Sequence, residues 1–477
     1  MWIITSLIVV LVLNTAAAIV TVFKQQRDIS ATWAWLLVLL LLPVLGFIIY
    51  AFFGRKLSVN KLRDIQTQQR LGIDQLVETQ LHEAKTQTLL PDRQLPHGLM
   101  SMINTLLVAD GALITEDNHI DILADRDEFM NQLFTDIAQA TNHVHLEAYT
   151  IEPDDWGIKL RDLLVAAAKR GVRVRVNYDS FGSHRLSQKF WRPLTSVGGQ
   201  VEVFVATRLS RANLRINFRN HRKIIVIDGQ VGYIGGFNIG HSHRGPAISR
   251  DTQLRMTGSG VQSLQTRFFM DWNATAKVKK VYFQQEYFPK PIKAGHSLIQ
   301  IVSGSPGQSI EAIKLGYLRL IALAKHSIWI QTPYFVPDDS LLDALVIAAN
   351  SGIDVRIMVP GKTNQPTMTR ATRYYLDQIV QSGAQVFIYQ EGFLHAKTLV
   401  VDGRYVATGT ANMDVRSFKL NFEVAAFIYD HHVASQFQQL FLSDMQAATP
   451  LTQRQVASQT RWHQIGQELS RLLAPIL

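Results

Sequence analysis

The pattern His-x-Lys-x4-Asp-x6-Gly-Gly-x-Asn runs through His221, Lys223, Asp228, Gly235, Gly236 and Asn238. It returns as His395, Lys397, Asp402, Gly409, Thr410 and Asn412. Two such copies in one chain are very unlikely by chance, so the fold must accommodate a duplication. Within each copy a short β-branched run, Ile224 to Ile227 or Thr398 to Val401, reads as a strand. Asp228-Gly229 and Asp402-Gly403 then make hairpin turns, and a second strand leads to the small residues. Residues two apart on a strand face one side, so His221 projects with Lys223 and His395 with Lys397. Gly235-Gly236 and Gly409-Thr410 are expected to let backbone come close to a bound group.

The flanking sequence repeats as well. A strand from His143 to Tyr149, a helix from Gly157 to Arg170 and a strand from Val172 to Val176 come first. Ser327 to Ile330, Leu341 to Asn350 and Ile353 to Ile357 follow in the same order. Pro153-Asp154-Asp155 corresponds to Pro337-Asp338-Asp339, and these acids fit helix starts, where the dipole favours them, better than a metal site. A period this long is not a solenoid. It predicts two pseudo-symmetric α/β lobes, mixed sheets flanked by helices, each contributing one motif.

Ahead of the lobes, residues 2–23 and 33–53 are two apolar runs near the roughly 20 residues that cross a bilayer as a helix. Trp33, Trp35, Tyr50 and Phe53 lie near the ends of the second, and Pro43 and Gly46 are positioned to kink it. Ala16-Ala17-Ala18 resembles a signal-peptide cleavage site, but there is no basic leading region and the apolar run continues to Phe23, which favours two retained spans. Lys24, Arg27 and Asp28 fill the short linker, whereas Arg55, Lys56, Lys61, Arg63 and Arg70 follow the second span. The positive-inside rule therefore places the lobes in the cytoplasm. The expected divisions are spans within 1–54, a juxtamembrane connector at 55–100, and lobes at 101–292 and 293–477.

The excess of 48 Lys and Arg over 38 Asp and Glu, a formal charge of +10, suits a polyanionic partner or serves solubility. With no cysteine, thiolate nucleophiles and Cys-based metal sites are excluded. Two imidazoles can supply a nucleophile and a proton donor, and two lysines with two asparagines can stabilise charge on phosphoryl oxygens. That chemistry needs no metal, and neither a Walker A loop nor a zinc-protease motif occurs.

The duplicated His-Lys-Asp motif resembles the phospholipase D superfamily. With the two apolar runs, Thr332-Pro333-Tyr334-Phe335-Val336-Pro337 and Gly392-Phe393-Leu394-His395-Ala396-Lys397, the whole chain is similar to the bacterial cardiolipin synthases. Gly235-Gly236 and Gly409-Thr410 replace the usual Gly-Ser. The resemblance implies two phospholipase D-like lobes on a cell membrane. It implies phosphatidylglycerol as substrate, cardiolipin and glycerol as products, and no cofactor, metal or nucleic acid. By the same resemblance His221 attacks phosphorus and His395 is acid then base, or the reverse. Asp251 and Glu423, about thirty residues past each histidine, match acids that orient imidazoles. Asp228 and Asp402 fit a turn and lobe-interface role better than proton exchange. Phospholipase D, phosphatidylserine synthase and, less readily, nuclease activity would use the same residues. Arg208, Arg211, Arg215, Arg219 and Arg222 recur at three- and four-residue steps; if helical, most share a face that could dock anionic headgroups, and otherwise they form an ordinary solvated face or a loop. His143, His145, His241, His243, His431 and His432 lack motif spacing and read as structural.

Overall fold

The computed structural model describes the chain except residues 1, 24–28, 43, 51–53, 55–73, 87, 92, 205–217, 241–248, 276–279, 282–283, 309, 362, 364 and 474–477, and except the side chains at 3–10, 29–31 and 473. Three helices come first: α1 (Trp2–Phe23), α2 (Ile29–Leu41) and α3 (Leu45–Ile49). The expected single helix over 33–53 starts earlier and is broken, with Val44 at φ 67 between α2 and α3. Pro43 explains the break, because it has no N–H to give the carbonyl of Leu39. That carbonyl instead accepts from Asn14 Nδ2 across the hairpin at 3.1 Å, the re-satisfaction that a proline in an apolar setting requires. Ala18, Val22, Leu36, Leu39 and Tyr50 close the packing between the helices. Among the described residues no helix is long and apolar enough to cross a membrane. Phe53 and the linker and post-span charges from Lys24 to Arg70 lie outside the described residues.

Helices α4 (Asp74–Thr86) and α5 (His97–Asp110) lead into the body. The first lobe holds β1 (Ile114–Leu123), α6 (Arg126–Gln139), β2 (His143–Ala148), α7 (Asp155–Lys169), β3 (Arg173–Tyr178), α8 (Gln188–Thr195) and β4 (Gln200–Val203). It continues with β5 (Arg219–Asn220), β6 (Ile224–Ile227), β7 (Val231–Gly235), β8 (Ser249–Arg250), β9 (Gln253–Thr257) and α9 (Gly260–Thr275). The second lobe holds β10 (Ser297–Gly304), α10 (Ala312–Leu323), β11 (Ser327–Gln331), β12 (Phe335–Val336), α11 (Asp339–Asn350), β13 (Asp354–Pro360), α12 (Pro366–Gln381) and β14 (Gln385–Tyr389). Then come β15 (Phe393–Leu394), β16 (Thr398–Val401), β17 (Tyr405–Gly409), β18 (Met413–Asp414), α13 (Val415–Lys419), β19 (Asn421–Ile428) and α14 (His431–Gln446). The chain closes with β20 (Ala448–Leu451), α15 (Gln453–Ala457) and α16 (Arg461–Leu473).

The duplication is visible in the sheet. Outward from the antiparallel pair β1–β10, one side runs β9-β7-β6-β2-β3-β4 and the other β19-β17-β16-β11-β13-β14, with β20 added at the far edge. Corresponding strands occupy corresponding places, so the lobes form one continuous sheet about a pseudo-two-fold axis. Both faces are covered, which is why β6 is apolar at every position and β16 at all but Thr398, whose hydroxyl donates to Gln331 Oε1 at 3.2 Å. Ile225 and Ile227 join the core under α6 and α7, while Ile224 and Val226 join the core under α9 and α14. Leu399 and Val401 pack beneath α10 and α11, and Val400 turns to the α14 side. Asp154 and Asp338 cap α7 and α11, accepting from Gly157 N at 3.0 Å and Leu341 N at 3.2 Å. Helix α5 lays Leu99, Met102, Ile103 and Leu106 into the second lobe's core beside Tyr317 and Leu320.

Candidate active site

Both Asp-Gly turns adopt positive φ at the two central residues, 54° and 65° for Asp228-Gly229 and 53° and 59° for Asp402-Gly403. This is the type I′ geometry that matches strand twist. Each aspartate also ties the turn to the neighbouring strand of its own lobe. Asp228 accepts from the amides of Thr141 (2.8 Å), Asn142 (2.7 Å) and His143 (2.9 Å). Asp402 accepts from Lys325, His326 and Ser327, each at 2.8 Å. The motif aspartates thus set the hairpin that carries histidine and lysine, and the lobe interface is held elsewhere.

Two short parallel pairs carry the motifs across that interface. β5 pairs with β19, and His221 N donates to Phe422 O at 2.9 Å. β15 pairs with β8, and His395 N donates to Arg250 O at 2.7 Å. Each histidine therefore meets the acid of the other lobe. His221 Nδ1 lies 3.2 Å from Glu423 Oε1, and His395 Nδ1 lies 2.5 Å from Asp251 Oδ2. With both Nδ1 atoms held by carboxylates, both Nε2 atoms are left for chemistry, and the imidazoles stay 21 % and 23 % exposed in a site otherwise buried.

Lys223 Nζ donates to the carbonyl of His221 at 3.0 Å, and Lys397 Nζ does the same to His395. Both ammoniums are buried, at 5 % and 4 % exposure, so desolvation lowers the pKa of Lys223 and brings Lys397 down to about 8. Burial, then Lys397, pulls His395 down to about 4 against the opposing pull of Asp251. Burial pushes the Asp251 and Glu423 carboxyls up, but Lys397 and His395 outweigh it at Asp251, and His221 and Lys223 at Glu423, so both stay below the usual range. Both acids remain ionised beside the imidazoles.

Asn238 and Asn412 follow the second strand of each motif, and among the described residues Oδ1 of each has no hydrogen-bond partner. These orphaned oxygens accept, so at matched positions they fit a ligand that brings a hydroxyl or N–H donor. The glycines bring backbone hard against neighbouring protein. A Cβ on Gly236 would lie 2.1 Å from Asp251 Oδ1, one on Gly235 would lie 2.5 Å from Thr252 O, and one on Gly409 would lie 2.2 Å from Val424 O. These close approaches are to Thr252, to β19 and to the orienting acid. Thr410 fits because its hydroxyl receives Val424 N at 2.9 Å.

Of the arginine row, Arg219 and Arg222 are among the described residues and lie on extended backbone. Arg208, Arg211 and Arg215, like His241 and His243, lie outside the described residues. Arg219 starts β5, is buried and places its guanidinium 4.2 Å from the Phe181 ring centre. Arg222 is fully buried, because the residue between His and Lys on an extended segment points to the opposite side. Its guanidinium grips Asp271 at 2.7 and 2.8 Å, donates to Glu423 O at 3.0 Å and Gly304 O at 2.7 Å, and reaches Ser305 Oγ at 2.9 Å. It joins the lobes and docks no headgroup. The second motif has Ala396 there, and that mismatch in an otherwise faithful repeat was the available signal. Tyr149, whose ring centre is 4.1 Å from that of His221, and Asn421, whose Nδ2 donates to Glu423 Oε1 at 3.0 Å, also line the site without a sequence cue. Gln265 bridges His143 and His145 at 2.9 and 2.8 Å, so these two are structural.

The family model described as "Cardiolipin synthase, PLD-like domain" matches residues 133–272 and 317–445, one match per lobe. The cardiolipin synthase of Listeria monocytogenes serotype 4b is 43 % identical over 99 % of this chain and 98 % of its own length. The chain belongs to the cardiolipin synthase family. The major cardiolipin synthase ClsA of Bacillus subtilis is 44 % identical over 98 % of each chain. A model described as "Phospholipase_D-nuclease N-terminal" covers residues 12–55, the segment of the apolar helices. Among solved structures, phosphatidylserine synthase of Haemophilus influenzae shares the fold, with TM-score 0.62 at 15 % identity over 79 % of this chain and all of that one. The crossed contacts bring one histidine from each lobe to an acid of the other.

Proposed function

We infer that this chain is a phosphatidyltransferase that makes cardiolipin and glycerol from two molecules of phosphatidylglycerol. Whole-length identity to cardiolipin synthases supports the reaction, and the observation that carries the mechanism is the crossed pairing His221–Glu423 and His395–Asp251. His221 Nε2 attacks the phosphorus of the first lipid, and the bond to glycerol breaks as His395 gives its proton to the leaving oxygen. The headgroup hydroxyl of the second lipid then attacks the phosphohistidine, His395 takes its proton, and His221 is released. Lys223, Lys397 and the side-chain amides of Asn238 and Asn412 face the non-bridging oxygens. Burial first, then Lys397 and Lys223, holds His395 neutral; the phosphodiester's negative charge offsets the two ammoniums, so substrate binding favours the imidazolium needed as acid. One phosphodiester replaces another, so no nucleotide is consumed. Phosphatidylglycerol and cardiolipin are membrane lipids, and α1 with α2–α3 inserts as a hairpin of two spans with the lobes on the cytoplasmic side. The connector at 55–100 joins that hairpin to lobes divided at 292/293.

Purified full-length protein given phosphatidylglycerol alone should yield cardiolipin and glycerol in equal amounts by lipid mass spectrometry. Phosphatidic acid as the sole product would make the protein a hydrolase instead.

A further inference from the structure

Helix α16 has its polarity inverted. Its inner side packs along α12 through polar groups: Gln467 and Ser470 are buried, and Arg471 Nη1 donates to the Tyr374 hydroxyl at 2.7 Å. Gln467 also reaches Gln459, which in turn holds Asp377 at 2.7 Å. Its outer side carries Trp462, Ile465, Leu469 and Leu472, which are 82, 44, 60 and 67 % exposed. Those positions step by three and four and make one stripe along the helix. A helix that stabilises a globular fold buries its stripe, and this one displays it.

Charge and composition point to what covers it. From Gln453 to Leu473 the chain carries Arg454, Arg461 and Arg471 against the single acid Glu468, within a protein of net charge +10. An apolar stripe with tryptophan at one end, on a short helix with basic residues beside it, is the composition of helices that lie in the plane of an anionic bilayer. The helix is also linked to the motif. Met368 and Ala371 of α12 pack on Val336, the Thr372 hydroxyl receives Phe335 N at 3.2 Å, and β12 pairs with β18 directly after Asn412.

We propose that α16 is an in-plane membrane helix whose Trp462–Leu472 stripe enters the surface of an anionic bilayer and holds the second lobe against the lipid it acts on. This rests on the lipid-transferase reading, and the two are tested separately in one sample. The chain contains no cysteine, so Leu469→Cys and Gln464→Cys each introduce a unique thiol for an environment-sensitive fluorophore. Gln464 is exposed on α16 but lies off the stripe. In phosphatidylglycerol vesicles holding the full chain, the label at 469 should shift to the blue. Lipids brominated on the acyl chain should quench it several-fold more than the label at 464. The double variant Trp462→Gln/Leu469→Gln should need a several-fold higher surface concentration of phosphatidylglycerol for half-maximal rate, with kcat unchanged. Aqueous emission at both sites while cardiolipin still forms overturns the proposal and leaves the transferase reading standing. A blue shift in lipid-free micelles that grows with protein concentration also overturns it, because a second copy of the chain would then cover the stripe.

Discussion

Replacing Arg222 by Met probes the joint between the lobes without touching an imidazole. The guanidinium is 0 % exposed and makes five hydrogen bonds, two to Asp271 and three to β10, the turn after it, and β19. Removing it does not leave Asp271 bare, because Arg267 holds the same carboxylate at 2.8 and 3.0 Å. The carbonyls of Gly304 and Glu423 lose their guanidinium donor, at about 1–3 kcal/mol for each group left unsatisfied. Met restores much of the buried volume, so the net loss should be about 3–5 kcal/mol, from the two carbonyls and the lost charge rather than from a bare carboxylate. That is roughly a factor of 10² to 10⁴ in the folding equilibrium. Burial already raises Asp110 to about 6 and Glu147 well above its ordinary value, and both lose a compensating charge. Arg222→Lys should recover less than half of the loss, since a compact ammonium cannot span Asp271 and Gly304 together. Urea unfolding of the full chain in nanodiscs measures the difference. Stability of Arg222→Met within about 0.5 kcal/mol of the parent, inside the range of ordinary surface substitutions, would refute this reading of the lobe joint.

The crossed acids predict that Asp251→Asn and Glu423→Gln each lower kcat by about 10² to 10⁴ with the fold intact, as when a group orienting a catalytic imidazole is neutralised. A loss in only one of the two would break the symmetry argument. Acid should destabilise the protein in a defined window. Burial, the leading cause for each, lowers His143 and His395 to about 4 and His145 well below its ordinary value. These histidines are neutral when folded and bind protons when unfolded. Their contribution is therefore complete above the unfolded value of about 6.5 and is lost as pH falls from there towards 4. Unfolding free energy that stays flat between those limits would contradict neutral burial. Asp228→Asn keeps the positive φ but leaves one oxygen where a carboxylate meets three amides, so stability should fall by about 1–3 kcal/mol. Turnover per folded molecule should hold, and a selective loss of kcat would mean that Asp228 acts in the chemistry.

The repeat made the two-lobe fold legible because local periodicity and turn chemistry agree at every step. Ile224 to Ile227 and Asp228-Gly229 read as strand and turn before any tertiary contact is considered. What crosses the pseudo-two-fold axis was not legible in this way. Asp251 follows His221 in sequence but serves His395, since β8 pairs with β15 of the other lobe. Spacing along the chain cannot report such an exchange. Arg222 misled for a related reason. Steps of three and four are compatible with a helix or a loop, whereas the extended segment at Arg222 alternates sides and buries it. Nor can spacing show that the missing Cβ of Gly236 makes space for Asp251, a residue brought there by sheet pairing. The break after Leu41 was foreshadowed by Pro43, while its consequence, a carbonyl captured by Asn14, depends on how two helices meet.

The central claim is one site in which a histidine from each lobe divides the work of nucleophile and proton carrier. It is tested most directly by giving His395→Ala a phosphatidyl ester of p-nitrophenol, whose leaving group needs no proton. The account predicts a burst of about one p-nitrophenolate per chain. After quenching at high pH, peptide mass spectrometry should find the phosphatidyl group on His221. A burst that persists in His221→Ala, or a chain with neither histidine modified, would contradict it.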